Sequence, residues 1–552
     1  MSIYQVLVIK LHKFFLIFLY VSFLFSNEPI TYKHDQTNKI LINKITNDSE
    51  LKVYMPTLPY FNLISLINGT LVKLSDSKRG WDYYLAYKHK KIDALTYDFW
   101  LRDDVKYQDG TKFDADSVVE NFKHFIDGPF LYSNIHNALD SVEKLNDYKI
   151  RIHLKIPYGM LLNDLCVINF YTKKYYEKYN WTPSLTAQNT KGPGLYGAGP
   201  YIMAQGYATG LKQSKKIVLT ANPYYFEKNK PYINKITIYT ELPTHEVIND
   251  ISKHEGKLDI AYIPYNKKTE IVNSKYAKLL ISPSHGNLTV HMNLIKKNSK
   301  LKNIKVRQAL NDAIDQKKLI KFAFKNEASV SPFLLSSNTY FAKDLSKKYL
   351  NKKSRFTQKQ LHDILNGLEL KVITQDRFMS VWKGVEYQLS KYGVKLIYTI
   401  TSDEKVVLEK LLKNRKNIYD WDLLIWGNED WNGSPWTAFF TLYTKANWCS
   451  IDKDDYLVNE FEKLFKLDTN SKEFQKEVNK ILLYSYEKAY TLVLPSPNIV
   501  IALNKEVSYH PSEMSTFPLW NAKITPFHWS IRKEKLDKSR LNYLYPIRIK
   551  NE

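Results

Sequence analysis

The chain has 552 residues, 44% of them apolar and 14% aromatic, and its 80 lysines and arginines against 56 acidic residues give a formal net charge of +24. A chain of this length outgrows a single hydrophobic core, so two or more lobes are expected. Only ten of the 80 basic residues are arginine, and the lysines are spread along the whole length; nucleic-acid readers instead gather arginine-rich charge on one face, which excludes that partner class.

Taken in order, the chain opens with Lys10, His12 and Lys13 ahead of the run Phe14 to Phe25, FFLIFLYVSFLF, which ends at Ser26-Asn27-Glu28-Pro29. A basic flank and an apolar stretch too short to span a bilayer comfortably predict a cleaved signal peptide over 1–26, with an uncleaved anchor as the alternative. Because no cysteine follows the run, a free periplasmic protein is expected rather than a lipid-anchored one. The only cysteines, Cys166 and Cys449, exclude a zinc ribbon, a CxxC motif and iron–sulfur spacing, and fit one disulfide or two thiols equally well.

The segment Phe99 to Phe125 reads as strand, turn and helix. Tyr97, Phe99 and Leu101 alternate, and Asp109-Gly110 supplies the turn. Asp114 is the expected N-cap of a helix whose Val118, Val119, Phe122 and Phe125 share a face. Further on, Lys149 to Ile156 alternates as a strand with Ile150, Ile152, Leu154 and Ile156 on one side and His153 on the polar side. Leu161 to Thr172 reads as a buried segment and Lys173 to Trp181 as a tyrosine–lysine helix or loop. The stretch Gly192 to Gly197 matches GxGxxG, but no strand precedes it and no helix follows it, so it is not a dinucleotide loop.

Lys235 to Glu241 is an alternating strand, and Val306, Ala309, Leu310, Ala313 and Ile314 form a helical stripe within Val306 to Ile320. From Leu370 strands and helices alternate: 370–374, a helix through Val381 to Leu389, 394–400, a helix through Val406 to Leu412, then Trp421 to Trp426. This pattern predicts βαβ units and a mainly parallel sheet. Phe461 to Tyr486 is helical and charged.

No HExxH, GxSxG or P-loop is present, so no catalytic residue is assigned. His285 and His291 would share a face of an extended strand, but a pair with no third ligand in view is read as structural, and no metal site is assigned. The suggestive constellation is Trp426 to Trp436, WGNEDWNGSPW, at the C-terminal end of a predicted strand, where open α/β sheets receive ligands. Tryptophans with Glu429 and Asp430 would make an apolar wall carrying negative charge, suited to an ammonium group or a cationic complex; the alternative is that Trp426 and Trp436 are core anchors.

Four landmarks carry a family resemblance. LRDDVKYQDGTKFDADSVVENF, from Leu101 to Phe122, is similar to the signature of the family 5 solute-binding proteins of ABC importers. The turn Gly197 to Tyr201 with Asn222-Pro223-Tyr224-Tyr225 resembles that family's GTGPY turn and L-x-x-N-x-x-Y strand. Gly256 to Ala261 resembles its G-x-x-D return strand, and VRQALNDAID from Val306 resembles its VRQAL-x-x-AID helix.

The resemblance spans roughly Leu51 to Trp529 and implies an α/β, two-lobed periplasmic binding protein fold of the large peptide/nickel class. The implied division is a first lobe over 27–284 with an inserted subdomain near 55–190, a second lobe over 285–494, and a return with a basic tail over 495–552. It further implies capture of a short peptide or a nickel complex by a monomer that delivers it to a membrane ABC permease, with no cofactor beyond nickel as part of the cargo. A sensor or hydrolase on the same scaffold is the competing class. The implied ligand contacts are Trp426, Gly427, Glu429, Asp430, Trp431, Ser496, Asn498 and Thr516, with Asp430 facing a peptide α-amino group. The wording LRDDVK and FDAD leans toward the nickel-binding branch. Yet Val167-Ile168-Asn169-Phe170 has no arginine where some nickel proteins hold an anionic chelator.

Overall fold

The computed structural model describes residues 30–31, 48–56, 60–126, 135–179, 192–209, 212–401, 420–428, 433–445, 449–514, 517–533 and 547–548. The apolar run 14–25 and the expected helix 406–412 lie outside them.

A nine-stranded mixed sheet organises the first lobe. Its order is Ile30–Thr31, Ile547–Arg548, Ala277–Ser282, Ile499–Asn504, Ile260–Tyr262, Glu50–Tyr54, Lys235–Tyr239, Lys216–Ala221 and Tyr201–Gln205. Ile499–Asn504, from near the end of the chain, sits antiparallel between Ala277–Ser282 and Ile260–Tyr262. All six of its residues are buried, as a strand covered on both faces requires. Ile501 and Leu503 join the core of Leu51, Val53 and Ile236, while Val500 and Ala502 join Val247 and Ile251 of the helix Thr244–Ser252.

A five-stranded sheet organises the second lobe, in the order Lys395–Ile400, Glu369–Thr374, Leu423–Asn428, Asn287–Met292 and Thr491–Val493. The first three strands are parallel and the last two antiparallel to their neighbours. The helix Met379–Ser390 makes the crossover and buries Val381, Trp382, Val385 and Leu389. The chain passes between the two sheets twice, through 283–286 and through 494–498.

A four-stranded antiparallel sheet, Ala86–Lys91, Thr96–Leu101, Lys149–Leu154 and Leu139–Asn146, carries the helix Ala115–Ile126. Asp114 caps that helix by accepting from Ser117 N–H at 3.0 Å, and Val118, Phe122 and Phe125 form its buried face. The core under this sheet continues into the second lobe, so the two pack as one apolar body.

Three local readings need correction. The strand at Lys149 ends at Leu154, leaving Ile156 exposed beyond the last paired residue. The stripe from Val306 is two helices, Ile304–Asp312 and Gln316–Ala323, because Asp315 accepts from Lys318 N–H and starts the second. The charged helix from Phe461 is likewise two, Asp455–Leu464 and Lys472–Lys488, the second capped by Ser471. Cys166 and Cys449 are both buried, and their thiols donate to the Leu162 and Ile451 carbonyls at 3.6 and 3.5 Å.

Candidate functional site

A cavity of about 340 Å³ opens in the first lobe, within the usual size range of small-molecule sites. Its walls come from the helix Tyr60–Ile67 with the turn after it, the hairpin Val72–Leu74 and Trp81–Tyr83 with its loop, the stretch Cys166 to Asn169, and Ser512, Pro518, Trp520 and Asn521 of the return segment. Tyr84, Tyr225 and Trp520 give it aromatic surface, and the Tyr84 and Tyr225 hydroxyls meet at 3.1 Å.

Among the described residues three charged side chains line it: Lys73, Asp76 and Asp82. Lys73 Nζ lies 3.5 Å from Glu227 and 4.9 Å from the centre of the Tyr84 ring. Asp82 accepts from Arg79 at 2.9 Å. Asp76 Oδ1 accepts from Ser512 Oγ at 2.7 Å and from Glu513 N–H at 3.1 Å. Burial raises the Asp76 pKa above the ordinary carboxylate range, and the Glu513 charge adds to this against the Ser512 hydrogen bond and the His285 and His510 rings.

Beside the cavity the lobes touch. Asn163 Nδ2 donates to the carbonyls of Arg79 at 3.3 Å and Gly433 at 3.1 Å, and Gly159 N–H donates to Phe465 at 2.7 Å. Gly80 and Gly433 abut backbone to backbone. From the crossing, His285 N–H donates to Glu513 at 2.6 Å, and its ring nitrogen lies 3.4 Å from the Glu513 carboxylate.

Of the residues singled out from sequence, Trp426 and Gly427 lie at the C-terminal end of Leu423–Asn428, paired with Thr289 and Leu288. Glu429, Asp430, Trp431 and Thr516 lie outside the described residues. Pro518 and Trp520, just after Thr516, line the cavity, and Gly433, within the Trp426 to Trp436 stretch, contacts the first lobe. Ser496 is fully buried opposite Ser329, and Asn498 is tied to Glu327 through its backbone N–H at 3.1 Å and its side chain at 3.3 Å. Both belong to the crossing, and neither borders the cavity. Asp76, Tyr84 and Tyr225 were not singled out as ligand contacts, since no periodicity or motif marks a loop carboxylate or ring as facing a cavity.

His291 is buried within its strand, and burial pushes its pKa down to about 4. No cluster of three metal-ligating residues occurs among the described residues. A Ser530–His528–Asp259 line does occur, but His528 and Asp259 are fully buried and tie the C-terminal segment to the sheet, away from the cavity lining.

Residues 83–450 match the family described as bacterial extracellular solute-binding proteins, family 5. The chain belongs to this family. It is therefore a solute-binding protein and not an enzyme. The glutathione-binding protein GsiB of Escherichia coli K12 is 25% identical over 445 residues, covering 77% of this chain and 81% of its own. The ABC transporter-associated periplasmic binding protein DppA of Helicobacter pylori, in complex with the peptide STSA, superposes with a TM-score of 0.70 at 16% identity, covering 87% of this chain and 99% of its own. NikZ of Campylobacter jejuni, in complex with Ni(L-His), gives 0.68 at 20% identity, covering 87% and 100%. These likenesses show the fold of the two-lobed periplasmic binding proteins. Among the described residues no helix is long and apolar enough to cross a membrane.

Proposed function

We propose that this family 5 protein captures a short peptide outside the cytoplasm and delivers it to a membrane ABC permease. The observation that carries this reading is the 340 Å³ cavity, in which aromatic rings stand beside charged groups of both signs, a lining matched to a zwitterionic, partly apolar solute. Hinging at 283–286 and 494–498 closes the lobes, which divide at 284/285 and 494/495, around the cargo. Capture makes and breaks no bond.

In this reading the Trp426 stretch completes the site, with Asp430 pairing with the peptide α-amino group and Thr516 a secondary contact. Residues 1–26 act as a cleaved export signal and the mature protein is a periplasmic monomer. The absence of arginine from Cys166 to Asn169, a wall of the cavity, speaks against an anionic metal chelator. A nickel complex with amino acids is the second reading, favoured by the LRDDVK and FDAD wording.

Calorimetry of the purified chain with di- to pentapeptides, glutathione, Ni²⁺ alone and Ni²⁺ with histidine tests both. Heat with peptides supports the first reading, and heat only with nickel and histidine supports the second. Silence toward all of them rejects both.

A further inference from the structure

We infer that the cavity selects solutes bearing a cationic side chain, of lysine or arginine type, and that Asp76 is the residue that binds it. The inference rests on the peptide reading above and adds which peptides are taken.

Among the described residues three charges line the cavity. Lys73 is engaged by Glu227 and the Tyr84 ring, and Asp82 is engaged by Arg79. Among the described residues, Asp76 has no basic nitrogen within ion-pairing distance. Both hydrogen bonds it accepts fall on Oδ1, from Ser512 Oγ and Glu513 N–H, and these fix the carboxylate while Oδ2 accepts from no described group. A carboxylate oriented by two donors and open at its second oxygen is prepared for a charge-assisted bond, which is shorter and stronger than a neutral one.

Its surroundings ask for a cation. The Glu513 carboxylate faces Asp76 from the return segment, His285 from the crossing and His510 from the segment before Ser512. His285 is itself drawn to Glu513 at 3.4 Å. Burial and the like charge both disfavour an ionised Asp76, and a bound cation relieves both costs. In a chain of net charge +24 a cavity whose unpaired charge is negative is a local reversal of sign, and such a reversal discriminates between solutes rather than steering all of them. The rings of Tyr84, Tyr225 and Trp520 offer surface for the methylene stem of such a side chain.

The test uses the full mature chain and calorimetry with alanine tripeptides that carry one lysine at each position in turn. Matched tripeptides carry norleucine, which keeps the stem and removes the charge. The expected result is that at least one lysine peptide binds about tenfold or more tighter than its norleucine partner, the order set by a charge-assisted bond in a partly buried site. Asp76→Asn abolishes this preference, so that each lysine peptide binds no tighter than its norleucine partner, whereas Asp82→Asn, which removes the carboxylate already paired with Arg79, keeps it. Equal binding of lysine and norleucine peptides by the wild-type chain overturns the inference without any variant and leaves the peptide reading standing. A preference that survives in a folded Asp76→Asn protein also overturns it. Binding of no peptide at all overturns both.

Discussion

Gly80 and Gly433 meet across the two lobes with their backbones in contact: a Cβ on Gly433 would lie 2.8 Å from the Gly80 Cα, and one on Gly80 would lie 2.6 Å from the Gly433 carbonyl. Both have left-handed φ, +78° and +64°, where a side chain is strained in any case. Gly433→Ala therefore holds the lobes apart. The expected result is a larger radius of gyration in X-ray scattering and at least about tenfold weaker solute binding, since productive closure must repay a clash and backbone strain of about 1–3 kcal/mol. Unchanged scattering and affinity would reject the contact as part of closure.

Asp430→Ala is expected to weaken peptide binding by about tenfold or more, the loss that follows when a partly buried ammonium group is left without its partner. Calorimetry against a single high-affinity peptide decides it, and an unaltered dissociation constant removes Asp430 from the site.

Glu460 and Glu477 face each other between the helices Asp455–Leu464 and Lys472–Lys488, and Lys463 and Lys480 both pair with Glu460. For Glu477, burial and then the Glu460 carboxylate push the pKa up to about 7; Glu460 is held below the ordinary range by its hydrogen bonds to Glu477 and the lysines, which outweigh its burial. A raised carboxyl pKa means the folded state prefers the protonated form, so the Glu477 contribution is full below the ordinary glutamate pKa and is lost as the pH climbs through about 7. A lowered one works in reverse, so the Glu460 contribution is lost as the pH falls below the ordinary range. Glu477→Gln removes the loss on the alkaline side. Melting curves should show the variant gaining on the wild type by about 1–3 °C at pH 8 relative to pH 5; parallel curves at the two pH values would contradict the pairing.

Asp259 is fully buried and accepts from His528 Nε2 at 3.0 Å, Trp529 Nε1 at 2.8 Å, Asn504 Nδ2 at 2.9 Å and Lys52 N–H at 2.9 Å. His528→Ala strips one donor from a carboxylate that water cannot reach and should cost about 2–4 kcal/mol in denaturant unfolding, with release of the segment beyond Ala522 to proteolysis. A cost under about 0.5 kcal/mol would mean the segment is held by other contacts.

Cys166 borders the cavity and Cys449 is buried elsewhere. In a Cys449→Ser variant, alkylation followed by mass spectrometry should show slow labelling of Cys166 that slows further when a bound solute fills the cavity. A labelling rate indifferent to solute would detach Cys166 from the binding space.

Much of the fold could be read from sequence because period and turn chemistry act locally. The Asp109-Gly110 turn, the Asp114 cap and the face of Val118, Phe122 and Phe125 each stand where adjacent residues put them, and the first βαβ unit after Leu370 is legible for the same reason. The misses have equally local causes: Asp315 and Ser471 cut apolar stripes that continue across the break, so periodicity alone joined two helices into one. The cavity was harder. It is built where residues near 76, 167, 225 and 512 converge, and a loop carboxylate such as Asp76 carries no pattern until Ser512, 436 positions later, donates to it. Ser496 and Asn498 are expected ligand contacts by their place in the family order, and that order does not reveal that Asn498 is tied to Glu327.

The strand Ile499–Asn504 lies in the interior of the first-lobe sheet although it is among the last parts of the chain to be made. Until it arrives, Ala277–Ser282 and Ile260–Tyr262 lack the ladder that joins them, so the newly made polypeptide cannot finish its first lobe ahead of its second. Such long-range dependence slows collapse into the native state.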